Sequence, residues 1–114
     1  MVVNIYDTAN QMERDLRGTQ EFKALEEAYA ELKKDDETFK LFRQFQNLQM
    51  QLQQKQYSGQ QPTDDEIKEI QGVADKVRDV KSIQNLMEKE RGIDELLSGI
   101  NNVITKPIQE LYKD

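Results

Sequence analysis

Cysteine, histidine and tryptophan are all absent from this chain, and their absence removes whole classes of chemistry. Without imidazole or thiol there is no Ser-His-Asp or Cys-His nucleophile, no thiolate or imidazole zinc site, no iron-sulfur ligation and no disulfide. Proline and glycine are scarce, two and five in 114 residues. The glycines at 18, 59, 72, 92 and 99 stand alone, so neither a GxGxxG turn nor a Walker loop can be drawn. Apolar runs never approach the roughly 18 residues that a membrane span needs. The start, Met1-Val2-Val3-Asn4-Ile5-Tyr6-Asp7, has no basic region leading into an apolar stretch, so neither a membrane anchor nor a secretory leader is expected. Positive charge is in deficit: 16 Lys and Arg against 22 Asp and Glu leave a net charge of −6, which repels a polyphosphate backbone. Direct nucleic-acid binding is therefore not expected, and the expected compartment is the cytoplasm, whose reducing interior suits a cysteine-free chain.

What is abundant is helix-forming sequence, rich in Glu, Lys, Gln and Leu, in which the few breakers mark boundaries. The length allows one small domain. Ile5, Ala9, Met12 and Leu16 step by four, three and four along a first helix over 4–17. Gly18 then supplies a stop that tolerates left-handed geometry, and Thr19 an N-cap. A second helix over 20–34 aligns Phe22, Leu25, Ala28, Tyr29 and Leu32. Lys33-Lys34 ahead of Asp35-Asp36 is the charge order of a helix end followed by a helix start. The third segment, 36–57, carries Leu41, Phe45, Leu48 and Leu52 on one face, widened by Phe39 and Phe42. Its other face holds Gln44, Gln46, Gln49, Gln51, Gln53, Gln54 and Gln56, read as a neutral solvated surface in preference to an amide-mediated contact. Gly59 and Pro62 close it. Thr63-Asp64-Asp65-Glu66 is a capping box opening a fourth helix over 64–79, with Ile67, Ile70, Ala74 and Val77 on its buried side. The phase slips between Asp79 and Ser82, where a short break is expected.

The last segment, 82–112, is the most informative. Positions 83, 86, 90, 93, 97, 100, 104, 107 and 111 alternate spacings of three and four and hold Ile83, Leu86, Glu90, Ile93, Leu97, Ile100, Ile104, Pro107 and Leu111. Met87, Leu96, Val103 and Ile108 broaden this seam. Unbroken, the helix would run roughly 46 Å, whereas a compact chain of this length has a radius of gyration of only about 13 Å. The expectation is therefore an all-α, elongated bundle of about four to five helices that dimerises through its long C-terminal helix in an isologous contact. The dimer interface is expected at Ile83, Leu86, Glu90, Ile93, Leu97, Ile100, Ile104, Ile108 and Leu111. The alternative is that Gly92 or Ser98-Gly99 ends the helix early and a closed monomeric bundle results. Pro107 removes one backbone hydrogen bond, so a kink or restart is expected there.

Candidates for chemistry are few. Glu90 is the one charge within the seam; a metal or catalytic role is weighed against a device that sets register between helices, and the latter is favoured. Asp35-Asp36-Glu37 and Asp64-Asp65-Glu66 do not match a calcium loop, and acids gather at helix starts in any case. A di-metal carboxylate bundle needs Glu-x-x-His, which a histidine-free chain cannot build. No catalytic, cofactor-binding or metal residue is assigned, and no enzymatic activity is expected.

Several strings taken together resemble a known family: Ile5-Tyr6-Asp7 with Leu16-Arg17, Thr19-x-Glu21-Phe22-x-x-Leu25, Phe45-Gln46, Leu52-Gln53-Gln54-Lys55-Gln56 with Gly59, Leu86-Met87-x-x-Glu90, and Ile100-Asn101-x-x-Ile104-x-Lys106-Pro107-Ile108-x-Glu110-Leu111-Tyr112. In this order they resemble the YheA-type branch of the YlbF/YmcA family of small bacterial helical proteins. The resemblance implies an all-helical protein, commonly a homodimer, with no enzymatic activity assigned to this branch. It also implies paralogous or other protein partners, since better studied relatives are helper subunits of complexes acting in RNA processing and developmental regulation. Some relatives contribute cysteines to iron-sulfur clusters, a role that a cysteine-free chain cannot take over. The functional expectation is a non-catalytic cytoplasmic protein-interaction protein, with an accessory regulatory subunit of an RNA-processing or developmental complex as the alternative.

Overall fold

The computed structural model describes residues 3–113, and among them the chain is entirely helical, with six helices and no strand. These are α1 (Ile5–Arg17), α2 (Gln20–Lys33), α3 (Asp36–Tyr57), α4 (Asp64–Arg78), α5 (Lys81–Ile104) and α6 (Lys106–Leu111).

Short polar side chains set the starts. The Asn4 side chain accepts the Tyr6 N–H at the head of α1. Thr19 joins two helices: its hydroxyl donates to the Leu16 carbonyl at 2.7 Å and accepts the Phe22 N–H at 3.1 Å. Asp35 accepts from the N–H groups of Glu37 and Thr38 at the head of α3. Thr63 and Glu66 form the reciprocal capping box of α4, with the Glu66 N–H donating to the Thr63 hydroxyl at 3.2 Å and the Thr63 N–H donating to the Glu66 carboxylate at 3.0 Å.

The stops differ from one another. At the end of α3, Gly59 takes φ 77°, and the Gln60 N–H reaches back to the Lys55 carbonyl at 2.9 Å, the six-to-one bond of a Schellman turn. Gly18, a stop that would tolerate left-handed geometry, has φ −92° and does not use it. The reason lies in Thr19, whose backbone N–H and hydroxyl both satisfy the Leu16 carbonyl, so the chain turns without leaving right-handed geometry.

The terminal segment is not one helix. It is divided at Thr105, giving six helices where four to five were expected. Pro107 is the cause: it lacks an N–H, and its ring would collide with the carbonyl of Val103, so the chain restarts with the proline inside the first turn of α6.

Two compact units divide the chain, a central one over Ala28–Met87 and a terminal one made of Met1–Glu27 and Glu88–Asp114; α2 and α5 contribute residues to both. The central unit has a closed core of Ala28 and Leu32 from α2, Phe42 from α3, Val73 and Val77 from α4, and Ile83 and Leu86 from α5. There α3 packs along α4. Tyr29 meets Phe39 edge to face with centroids 6.0 Å apart, and the Lys33 ammonium lies 4.5 Å over the Tyr29 ring. The terminal unit, in contrast, has no fully buried hydrophobic residue among those described.

Candidate functional site

The seam of α5 is covered unevenly. Ile83 and Leu86 are 0% and 1% exposed, spent in the core of the central unit, so they have no surface left to offer a partner chain; this corrects their assignment to an interface. Ile93 and Ile100 are half-buried. Between and beyond them cover is lost: Leu97 is 44% exposed, Ile104 58%, Ile108 59% and Leu111 73%. Val103 and Tyr112 are also open. The structure thus divides the nine sequence-assigned positions into two that close the chain's own core and a remainder along the end of α5 and α6.

Glu90 lies between these stretches. The residue as a whole is exposed, yet its carboxyl is raised above the ordinary carboxylate range. Loss of hydration to surrounding protein atoms is the main cause, and the charge of Asp94, one turn on, adds to it.

Sequence reasoning missed the opening of α1. Ile5 and Tyr6 are largely exposed, and α1 as a whole buries no residue although its apolar positions form one clean stripe. The four-three-four spacing placed these residues on one face and said nothing of what covers it.

Elsewhere the polar groups have structural explanations. Glu66 is held down to about 2, by the Lys55 ammonium first and then by the Thr63 backbone N–H and hydroxyl. Asp35 is occupied in capping α3. Among the described residues, no group of three or more Asp and Glu is placed to hold a metal ion, and no helix is long and apolar enough to cross a membrane. An open cleft of about 460 Å³ runs along α3, lined by Phe39, Arg43 and Asn47 and closed on one side by Glu69 of α4. Of the Gln-rich set on α3, Gln46 is half-buried and the others are exposed.

Comparison with known proteins gives a consistent picture. The model of the family described as "Control of competence regulator ComK, YlbF/YmcA" matches residues 5–109. A "UPF0342 protein" of Lactiplantibacillus plantarum is 52% identical over 114 residues, covering the whole of both chains. A protein of the same name from Limosilactobacillus reuteri is 53% identical, covering 100% of this chain and 93% of its own. Among solved structures, yheA from Bacillus subtilis superposes with a TM-score of 0.73 at 32% identity, covering 96% of this chain and 100% of the other. A protein of unknown function (DUF964) from Bacillus stearothermophilus gives a TM-score of 0.83 at 24% identity over 96% of each chain, a likeness of fold.

Proposed function

The chain belongs to the YlbF/YmcA family, and from that premise we propose that it is a non-catalytic, cytoplasmic protein-interaction protein that pairs with a second copy of itself through the end of α5 together with α6. The contact centres on Leu97, Ile100, Ile104, Ile108 and Leu111, with Ile93 and Glu90 at its edge. One observation carries the reading: Leu97 and Ile104 at the end of α5 and Ile108 and Leu111 on α6 remain 44–73% exposed. Lone exposed hydrophobics are ordinary, whereas a contiguous apolar stripe is the mark of a contact surface. The non-catalytic assignment is supported by the lack of imidazole and thiol and by the structural causes found for both displaced carboxyls.

Sedimentation and light scattering test the pairing. The expected particle is twice 13.4 kDa. Leu97→Asp combined with Ile104→Asp is expected to give a folded monomer, because both positions are open within one chain and charge on an apolar contact opposes association. A wild-type protein that stays monomeric at tens of micromolar would refute the reading.

A second reading has its own support in the family's description, which names control of a competence regulator. On this reading the same surface serves an accessory regulatory subunit of an RNA-processing or developmental-regulation complex. Affinity purification at native abundance separates the two: paralogues or a ribonuclease in stoichiometric yield would favour the accessory role.

A further inference from the structure

Carboxylates outnumber cations on this chain, whose net charge is −6. Among the described residues the cations held in ion pairs are Arg17, Lys34, Lys55 and Arg78. Lys40 and Arg43, neighbours on α3, are in none of these pairs, and both stand exposed in the open cleft of the central unit. Arg43 is steadied by an aromatic side chain. Its guanidinium lies 5.6 Å from the centroid of the Phe39 ring, and Phe39 in turn meets Tyr29 edge to face. A guanidinium positioned in this way keeps N–H groups for a carboxylate, which the planar fork grips through two hydrogen bonds.

The two ends of the cleft differ in charge. At about 100° per residue, Lys40, Arg43, Gln44, Asn47 and Gln51 fall within about 100° of the α3 surface, a polar strip flanked by half-buried Phe39 and Leu48. Cations hold one end of the strip. At the other end, Lys55 of α3 pairs with Glu66 of α4, so Gln51, one turn back along α3, lies level with Glu69, one turn on along α4. From position 43 to position 51 the helix rises about 12 Å, the length of about four residues of extended chain at about 3.3 Å each. Side-chain amides both donate and accept, as a peptide backbone passing beside them requires.

We propose that this cleft binds a short extended segment of another protein, with an acidic side chain seated on Lys40 and Arg43 and a Lys or Arg about four residues away facing Glu69. The amides of Gln44, Asn47 and Gln51 hold the backbone between. A segment with an acid at one end and a base at the other meets both ends of the cleft, whereas Glu69 and the net charge of −6 repel a polyphosphate that is negative along its whole length. The surface lies within the central unit and does not depend on the pairing proposed for the end of α5 and α6.

The probe is the blocked peptide acetyl-Glu-Glu-Ser-Ser-Ser-Lys-amide, titrated into the isotope-labelled full-length protein and followed through its amide resonances. Shifts are expected over 39–51 and at Glu69, with binding about 3-fold tighter than for acetyl-Ser-Glu-Lys-Glu-Ser-Ser-amide, the same residues with the charges crowded together. Arg43→Glu, at an exposed position, is expected to weaken binding about 10-fold. Glu69→Lys should weaken it too, and should regain it when the lysine of the peptide is replaced by glutamate, an exchange that only a facing pair produces. Should Arg43→Glu fail to fold, this exchange at Glu69 decides. No shifts at millimolar peptide, shifts centred elsewhere, or equal binding of the two peptides would overturn the proposal. So would tighter binding of a short oligouridylate at the same amides, which would assign the cleft to RNA, or loss of self-association in Arg43→Glu, which would assign it to a second copy.

Discussion

The central and terminal units use the same kind of amphipathic helix and reach opposite states. In the central unit four helices bring seven hydrophobic residues out of contact with water, from Leu32 and Ile83 at 0% exposure to Val73 at 6%. In the terminal unit the apolar stripes of α1, α5 and α6 are as regular, yet among the described residues none reaches that state. The difference is not one of composition. Leu86 and Leu97 are the same residue on the same seam of one helix, 1% and 44% exposed. What separates them is the cover each receives from the rest of the chain. A closed core and an open stripe thus coexist on one chain: the first holds the fold, and the second is the surface proposed above for association.

The sharpest way to break this comparison is to make the same truncation in both halves. Leu32→Ala in the closed core is expected to cost about 2–5 kcal/mol in urea unfolding, because a fully buried leucine leaves a cavity that close-packed neighbours fill only in part. That cost should not depend on protein concentration. Leu111→Ala, at a position 73% exposed, is expected to change the stability of the isolated chain by no more than about 0.5 kcal/mol. Any larger loss should appear only where the protein is dimeric. Equal costs at the two positions would abolish the distinction between the units.

A smaller effect probes how the central unit is anchored locally. Thr63→Ala removes the hydroxyl that accepts the Glu66 N–H and is expected to cost about 1 kcal/mol. Its partner Glu66 makes the same junction pH-sensitive. A carboxyl whose pKa is lowered on folding stabilises the fold fully above its ordinary value of 4.5, and that contribution disappears as the pH falls toward about 2. Wild type should therefore lose stability relative to Glu66→Gln through that interval, and the difference between the two should be flat above it. Melting curves at a series of pH values check the sign.

Much of this was legible in the residues because it is local. Thr19, Asp35 and the Thr63–Glu66 pair announce helix starts through hydrogen bonds spanning two or three residues, and Gly59 announces a stop that needs positive φ. The division at Thr105 was half legible. Pro107 signalled a restart, but the three-four spacing of apolar residues continues across the break as if nothing intervened, which disguises two helices as one. Burial was the part not legible. A periodic stripe states which face is apolar and leaves open what lies opposite, so Ile83 and Leu86 could not be told from Ile104 and Leu111 by spacing alone. The exposure of the start of α1 was out of reach for the same reason.

The smallest expected effect lies at the border between the two states, where Glu90 follows the closed part of the α5 seam and precedes the open part. Its carboxyl is raised, by lost hydration first and by Asp94 second, so the charged form is disfavoured on folding. For a carboxyl the sign is then opposite to that of Glu66: stability declines as the pH rises from the ordinary value of 4.5 through the raised one, and is level beyond it. Glu90→Gln removes a like-charge pair at i and i+4, which on a helix surface is worth about 0.2–0.5 kcal/mol, so the variant is expected to be that much more stable near neutrality. The advantage should vanish below the ordinary carboxyl pKa. Because Glu90 is exposed at the edge of the proposed contact, the gain should be the same in dilute and concentrated protein. A gain that grows with concentration would place Glu90 beneath the second chain and move the border of the open region back to Leu86.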